Sequence, residues 1–191
     1  MLENRTAPAF WDHVAHETHL GRERCAEDAG AVWCSQGERK FGLDLLGPLK
    51  AGHRLLEVGC GHGAVLRAIS DQYPHVHLTG MDFSSGQLGL SANLLQKDAA
   101  QLVQADLNAG VPGQLRGFDF VLSIFGALDF VAEVPRGLEN CLDALVSSGF
   151  LVVVTSRMDD LATAVLQLTN VAVVQEERLS DGRGVLILGR D

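Results

Sequence analysis

Residues 57–64 read EVGCGHGA, with glycines at 59, 61 and 63, an acid two positions ahead of the first, and apolar runs on both sides. The preceding HRLLEV is a short apolar strand, and GAVLRAISDQY behind it is helix-like and stopped by Pro74. Glycines here allow a tight backbone turn and the close approach of a ligand. The first helical turn adds N–H groups that have no partner inside the helix. Such a strand–loop–helix unit predicts a ligand at the carboxyl ends of parallel strands, where the strand order reverses.

The alternation continues downstream. HVHLTGMD, AQLVQAD, FDFVLSIF and FLVVVTS read as strands, the last two apolar on both faces as interior parallel strands are. SSGQLGLSANLLQKD reads as a helix opened by a serine cap, EVPRGLENCLDALVSSG as one ended by glycine, and DDLATAVLQLTN as a third. The end breaks the pattern. VAVVQEERL and VLILGR are joined by SDGRG alone, too short for the crossover that parallel strands need, so they pair antiparallel. The prediction is an α/β fold: a doubly wound, Rossmann-like sheet, mostly parallel, with a C-terminal antiparallel hairpin and N-terminal helices.

At 191 residues the chain fits one domain. Residues 1–50 are expected to be a helical segment over the substrate and residues 51–191 the ligand-binding core. A chain of this size buries about 70% of its unfolded surface, enough for a core without disulfides or metal. The formal charge of −9 argues against nucleic acid as partner. No apolar run nears the ~20 residues of a membrane helix, and MLENRTAPAFWDHVAHETH lacks the apolar centre of a secretion signal. Cys25, Cys34, Cys60 and Cys141 are scattered, which fits reduced thiols and a cytoplasmic location. A homodimer is left open.

Two ligand classes compete for the loop. Gly59, Gly61 and Ala64 satisfy the dinucleotide fingerprint, with Asp82 near the distance of a ribose-binding acid, so an NAD-dependent oxidoreductase is one alternative. Against it stand the G-x-G-x-G spacing made by Gly63, Glu57 ahead of the loop, the short chain and the terminal hairpin. EVGCGHG, GMDFS, QADL, FDFVLSIFGALDFV and VSSGFLVVVTS, taken in order, resemble the motifs of the Rossmann-like (class I) S-adenosylmethionine-dependent methyltransferases of the small-molecule type.

That resemblance covers about residues 50–191 and implies a methyltransferase acting on a small-molecule acceptor, with S-adenosylhomocysteine as product. It implies a cofactor site made of the loop residues Glu57, Gly59, Cys60, Gly61 and Gly63, with Ser123 on the fourth strand. It further implies Asp82 on the ribose hydroxyls, Asp106 on the adenine amino group, and Phe83 or Leu107 flanking the ring. FWDHVAHETH is similar to an N-terminal opening of small-molecule methyltransferases, but Thr18 stands where a tyrosine is usual and His19 where an acid is. Ser147-Ser148-Gly149 replaces the usual proline-glycine-glycine. A catalytically silent cofactor-binding partner of another protein is the third reading.

The methyl acceptor profits from a base, and His13, His16 and His19 are the candidates for base or substrate contact. Their spacing of three spreads them over about 120° of a helix, which fits a polar face better than a metal site. His62 lies in the loop by location and is not assigned to catalysis. Trp11, Trp33, Phe125 and Phe130 are candidates for an apolar acceptor pocket, with Trp33 and Phe125 read as core.

Overall fold

The computed structural model describes residues 7–21, 46–95, 97–179 and 183–190, with backbone alone over 17–21. The remainder of the expected N-terminal helices, with Cys25, Trp33 and Cys34, lies outside the described residues. The elements are α1 (Pro8–Gly21), β1 (Arg54–Val58), α2 (Ala64–Gln72), β2 (His77–Asp82), α3 (Ser85–Leu94), β3 (Gln101–Gln104) and β4 (Phe118–Ile124). A short 3₁₀ turn (Ala127–Asp129), α4 (Val134–Asp143), β5 (Leu145–Thr155), α5 (Met158–Val165), β6 (Val171–Arg178) and β7 (Gly184–Arg190) follow.

Seven strands form one sheet in the order β3-β2-β1-β4-β5-β7-β6. The first five are parallel, and β7 runs antiparallel to both β5 and β6. The order reverses between β1 and β4, so a crevice opens above the ends of these two strands.

Strand alternation sorts the core into two layers. Leu56, Val121, Leu151, Val153, Leu186 and Leu188 face α4 and α5, whereas Leu55, Leu122, Val152, Val154, Val185 and Ile187 join Val65, Leu66 and Ile69 of α2. Each fully buried leucine or valine contributes about 1.5–3 kcal/mol. Leu46 and Leu49, flanking Gly47-Pro48, plug into the second layer. Cys60 and Cys141 are buried free thiols, and burial pushes Cys141 up to about 12.

The helix expected over EVPRGLENCLDALVSSG is shorter than its sequence pattern. It ends at Asp143, and Leu145 already pairs with Phe118. The next pairing is Phe120 with Phe150, so two steps along β4 face five along β5. The intervening residues bulge, and Gly149 serves there to approach Leu145 and the Asp119 carbonyl rather than to cap a helix. Among the described residues no helix is long and apolar enough to cross a membrane.

Candidate active site

The glycine loop is tied down by backbone alone. The Gly59 and Cys60 N–H groups both donate to the Met81 carbonyl at 2.7 and 3.1 Å, which binds the loop to the end of β2. Gly59, Gly61 and Gly63 have φ of +72°, +52° and +84°, the left-handed region where a side chain is strained. At Gly59 space is forbidden as well: a Cβ would lie 2.2 Å from the Ala127 nitrogen. Its counterpart is Gly126, where a Cβ would lie 2.5 Å from the Val58 carbonyl oxygen. The two segments that follow β1 and β4 therefore meet backbone to backbone. Sequence reading did not single out Gly126; its only signal was its place just past the fourth strand.

Asp82 ends β2. Its Oδ2 accepts from the Gly61 N–H and its Oδ1 from the Ser84 N–H, both at 2.9 Å, so one carboxylate braces the loop and the start of α3. Burial raises its carboxyl above the usual range against the pull of these donors. Glu57 is 2% exposed, and its Oε2 is buried with no hydrogen-bond partner among the described residues. Burial first, and the Asp82 charge second, push its carboxyl well up, with the Leu66 N–H opposing. The same burial raises the Cys60 thiol, which stays protonated at neutral pH.

A cavity opens over these groups. Glu57, Gly59, Cys60, Gly61, His62, Asp82, Phe83, Asp106 and Leu107 all line it. Ser123 does not: it is fully buried behind the wall, where its hydroxyl accepts from the Leu128 N–H at 3.4 Å. Gly63 is also absent from the wall, and it starts α2 close against Ser91. Asn108, which sequence reading missed, organises the β3 end. Its N–H and its Nδ2 both donate to Asp106 Oδ1 at 2.9 Å, leaving Oδ2 without a partner among the described residues.

The far wall comes from α1 and from the segment after β4. Trp11 and Val14 line it with Phe125, Ala127, Phe130 and Val131, and the Trp11 and Phe130 rings meet edge-on at 5.3 Å. Phe125, expected in the core, is buried there and lines the cavity too. Helix α1 is pinned by Asp12, whose Oδ1 accepts from the Ser84 hydroxyl at 2.6 Å and the Gly86 N–H at 2.8 Å. The Ser84 hydroxyl in turn accepts from the Gln87 N–H, as the expected cap does. Gly86 leaves room for Ala15 and Asp12.

This docking turns His13 and His16 outward, where both are exposed and neither lines the cavity, so neither is placed to act as a base. The apolar face of α1 took the inner position because burying Trp11, Val14 and Ala15 releases more free energy than burying imidazoles. The His19 side chain lies outside the described residues.

The wall's charge tests which ligand fits. Glu57, Asp82 and Asp106 face the cavity, and among the described residues no lysine or arginine does. A diphosphate would meet acids and no cation. A ligand with an ammonium and a sulfonium would supply the charge that the buried Glu57 oxygen lacks.

Sheet order, glycine loop and acids at successive strand ends define a class I, S-adenosylmethionine-dependent methyltransferase fold. The sequence profile of the family described as "Methyltransferase domain" matches residues 56–151, and the chain belongs to that family. Among curated proteins it is 32% identical over 100 residues to demethylmenaquinone methyltransferase of Thermotoga maritima, covering 52% of this chain and 42% of that protein. It is 33% identical over 92 residues to trans-resveratrol di-O-methyltransferase of Vitis vinifera, covering 44% of this chain and 23% of that one. The chain thus spans less than half the length of either relative. The structure of S-adenosylmethionine-bound CalS10, an amino pentose methyltransferase of Micromonospora echinaspora, superposes with a TM-score of 0.68 at 18% identity, covering 87% of this chain and 97% of that one.

Proposed function

We propose that this protein transfers the methyl group of S-adenosylmethionine to a small-molecule acceptor, leaving S-adenosylhomocysteine. The observation that carries the reading is a cavity at the switch point, lined by three carboxylates with no lysine or arginine among the described residues, one carboxylate having a buried oxygen without a partner. The relatives are named for trans-resveratrol, demethylmenaquinone and an amino pentose, which supports a small acceptor.

When bound, the cofactor supplies a methyl group already activated on a sulfonium. In this reading Asp82 accepts from the two ribose hydroxyls with the lone pairs that Gly61 and Ser84 leave over, a pair of charge-assisted bonds. Asp106 accepts from the adenine amino group through Oδ2, and Phe83 and Leu107 flank the ring. Glu57 faces the positive end beside the loop. Trp11 and Val14 exclude water from above and hold the acceptor about 3 Å from the methyl carbon, where alignment alone supplies much of the rate. His62 is the one histidine among the described residues that lines the cavity.

Calorimetric titration of the protein with S-adenosylmethionine, S-adenosylhomocysteine and NAD tests this. Binding of the first two without NAD is expected, and heat from NAD alone would overturn the reading in favour of a dehydrogenase. Tight cofactor binding with no methyl transfer to any member of a broad acceptor panel would favour a silent partner protein.

A further inference from the structure

Phe125 combines features that do not normally coincide. Its φ is +48°, a left-handed conformation that bulky residues rarely adopt and that glycine or asparagine would enter freely. The strain is held from three sides. The Phe125 N–H donates to the Val154 carbonyl at 2.8 Å, extending the β4–β5 ladder by one residue. The next residue, Gly126, is jammed against the loop after β1. The guanidinium of Arg183, delivered by the β6–β7 turn, lies over the ring at 5.4 Å from its centre. A strained non-glycine residue kept in place by its surroundings points to a use for its side chain.

That side chain is 8% exposed and lines the cavity. The acids Glu57, Asp82 and Asp106 come from the ends of β1, β2 and β3. The wall that belongs to β4 and α1 is instead aromatic and aliphatic: Trp11, Val14, Phe125, Ala127, Phe130 and Val131. Aromatic walls favour flat partners, through offset-stacked or edge-on ring contacts.

Resting on the methyl-transfer reading above, we infer that Phe125 is a specificity-determining residue and that the acceptor is a flat, largely apolar ring system seated against Phe125 and the Trp11–Phe130 pair. Its attacking atom is borne by that ring, and its own polarity is low, since this wall offers it no charged side chain among the described residues. In the transfer, a lone pair of that atom forms the bond to the methyl carbon as the carbon–sulfur bond breaks, its electrons returning to sulfur. The acceptor's proton, where it has one, leaves to water.

Two probes share a skeleton and differ in flatness: 2-naphthol and decahydro-2-naphthol. Each is titrated into protein saturated with S-adenosylhomocysteine, for the wild type, Phe125→Leu, Phe125→Tyr and Phe130→Leu. The expected result is at least tenfold tighter binding of 2-naphthol in the wild type. Phe125→Leu is expected to lose that preference, with S-adenosylhomocysteine affinity changed less than threefold, and Phe125→Tyr to keep it. Should Phe125→Leu fail to fold, Phe130→Leu reads the same wall. Equal affinity for the two probes in the loaded wild type, or a preference that survives both leucine variants, overturns the inference. Failure of S-adenosylhomocysteine to bind the wild type is a different result and overturns the methyl-transfer reading beneath it.

Discussion

The two halves of the cavity are built by different means. The half over β1–β3 is made of backbone and carboxylates: a loop forced into left-handed turns, anchored on the Met81 carbonyl and braced by Asp82. The half over β4 and α1 is made of rings delivered from positions more than a hundred residues apart, Trp11 against Phe130. The glycine loop of the first tolerates almost no change, because its contacts are main chain. The second can be refitted one side chain at a time. A fold that keeps one half rigid and leaves the other open to substitution can serve one cofactor and many acceptors.

The sharpest way to break that contrast is Gly59→Ala. The added methyl meets main-chain nitrogen at 2.2 Å and a φ of +72°, so neither side can yield cheaply. A loss of about 2–4 kcal/mol in urea unfolding is expected, combining overpacking with the left-handed penalty. A stable variant would mean that the two segments are not locked together.

Asp82→Ala comes next. Cofactor affinity is expected to fall by about 1.5–3 kcal/mol in calorimetry, the range for hydrogen bonds to a charged group. The freed Gly61 and Ser84 N–H groups should also make the loop exchange its amide protons faster. An unchanged dissociation constant would remove Asp82 from the ribose.

Asp12→Ala tests the other half. Two bonds that hold α1 on α3 are lost, a cost of about 1–2 kcal/mol, which should appear mainly as faster dissociation of S-adenosylhomocysteine in stopped flow. The Ser84 hydroxyl first, and the Gly86 N–H second, hold the Asp12 carboxyl below its usual range. A depressed native value means that the docking is at full strength above the unfolded-state value and is lost as pH falls through the native one. Dissociation that gains no speed as pH falls below the usual aspartate range, in a protein still folded, would contradict the pin.

What was legible in the sequence follows the same division. That Glu57, Gly59, Gly61, Asp82 and Asp106 stand together at the strand ends was legible because each lies at the end of a strand or in the loop after it, and the Ser84 cap likewise; Gly63, read with them, starts α2 instead of lining the cavity. Gly126 and the Phe125 strain could not, because both arise from contact with residues distant in the chain. The Asp12–Ser84 bond spans 72 positions and has no local signature. The histidines of α1 recur with a period of three, and of the stronger helical signal beside them only Trp11 is picked out in the sequence, as a pocket residue. Trp11, Val14 and Ala15 fall at helical spacing and are the face that docks. The end of α4 was misplaced for a related reason: ALVSSG suits a helix end locally, and pairing with β4 decides otherwise.

The smallest expected effect is the one that probes why acids line a buried site at all. Burial first, and the Asp82 charge second, raise the Glu57 carboxyl well above the usual carboxylate range, so the folded protein holds a proton that the unfolded chain has released. Between the unfolded and the native values the native state binds more protons, and stability falls as pH rises through that window. Asp82, also raised, adds to the same slope. Glu57→Gln keeps the shape and can still accept from Leu66 while removing the charge. At pH 8 the ligand-free variant should therefore melt a few degrees higher than the wild type, about 2–4 °C for each kcal/mol recovered in a chain of this size, and with a shallower pH dependence. S-adenosylmethionine should then stabilise the variant less than it stabilises the wild type, because its positive charge no longer relieves a buried anion. A variant that melts lower at pH 8, with the pH slope unaltered, would mean that Glu57 is already compensated without a ligand. The acid-lined half would then be a structural device rather than a site waiting for a cation.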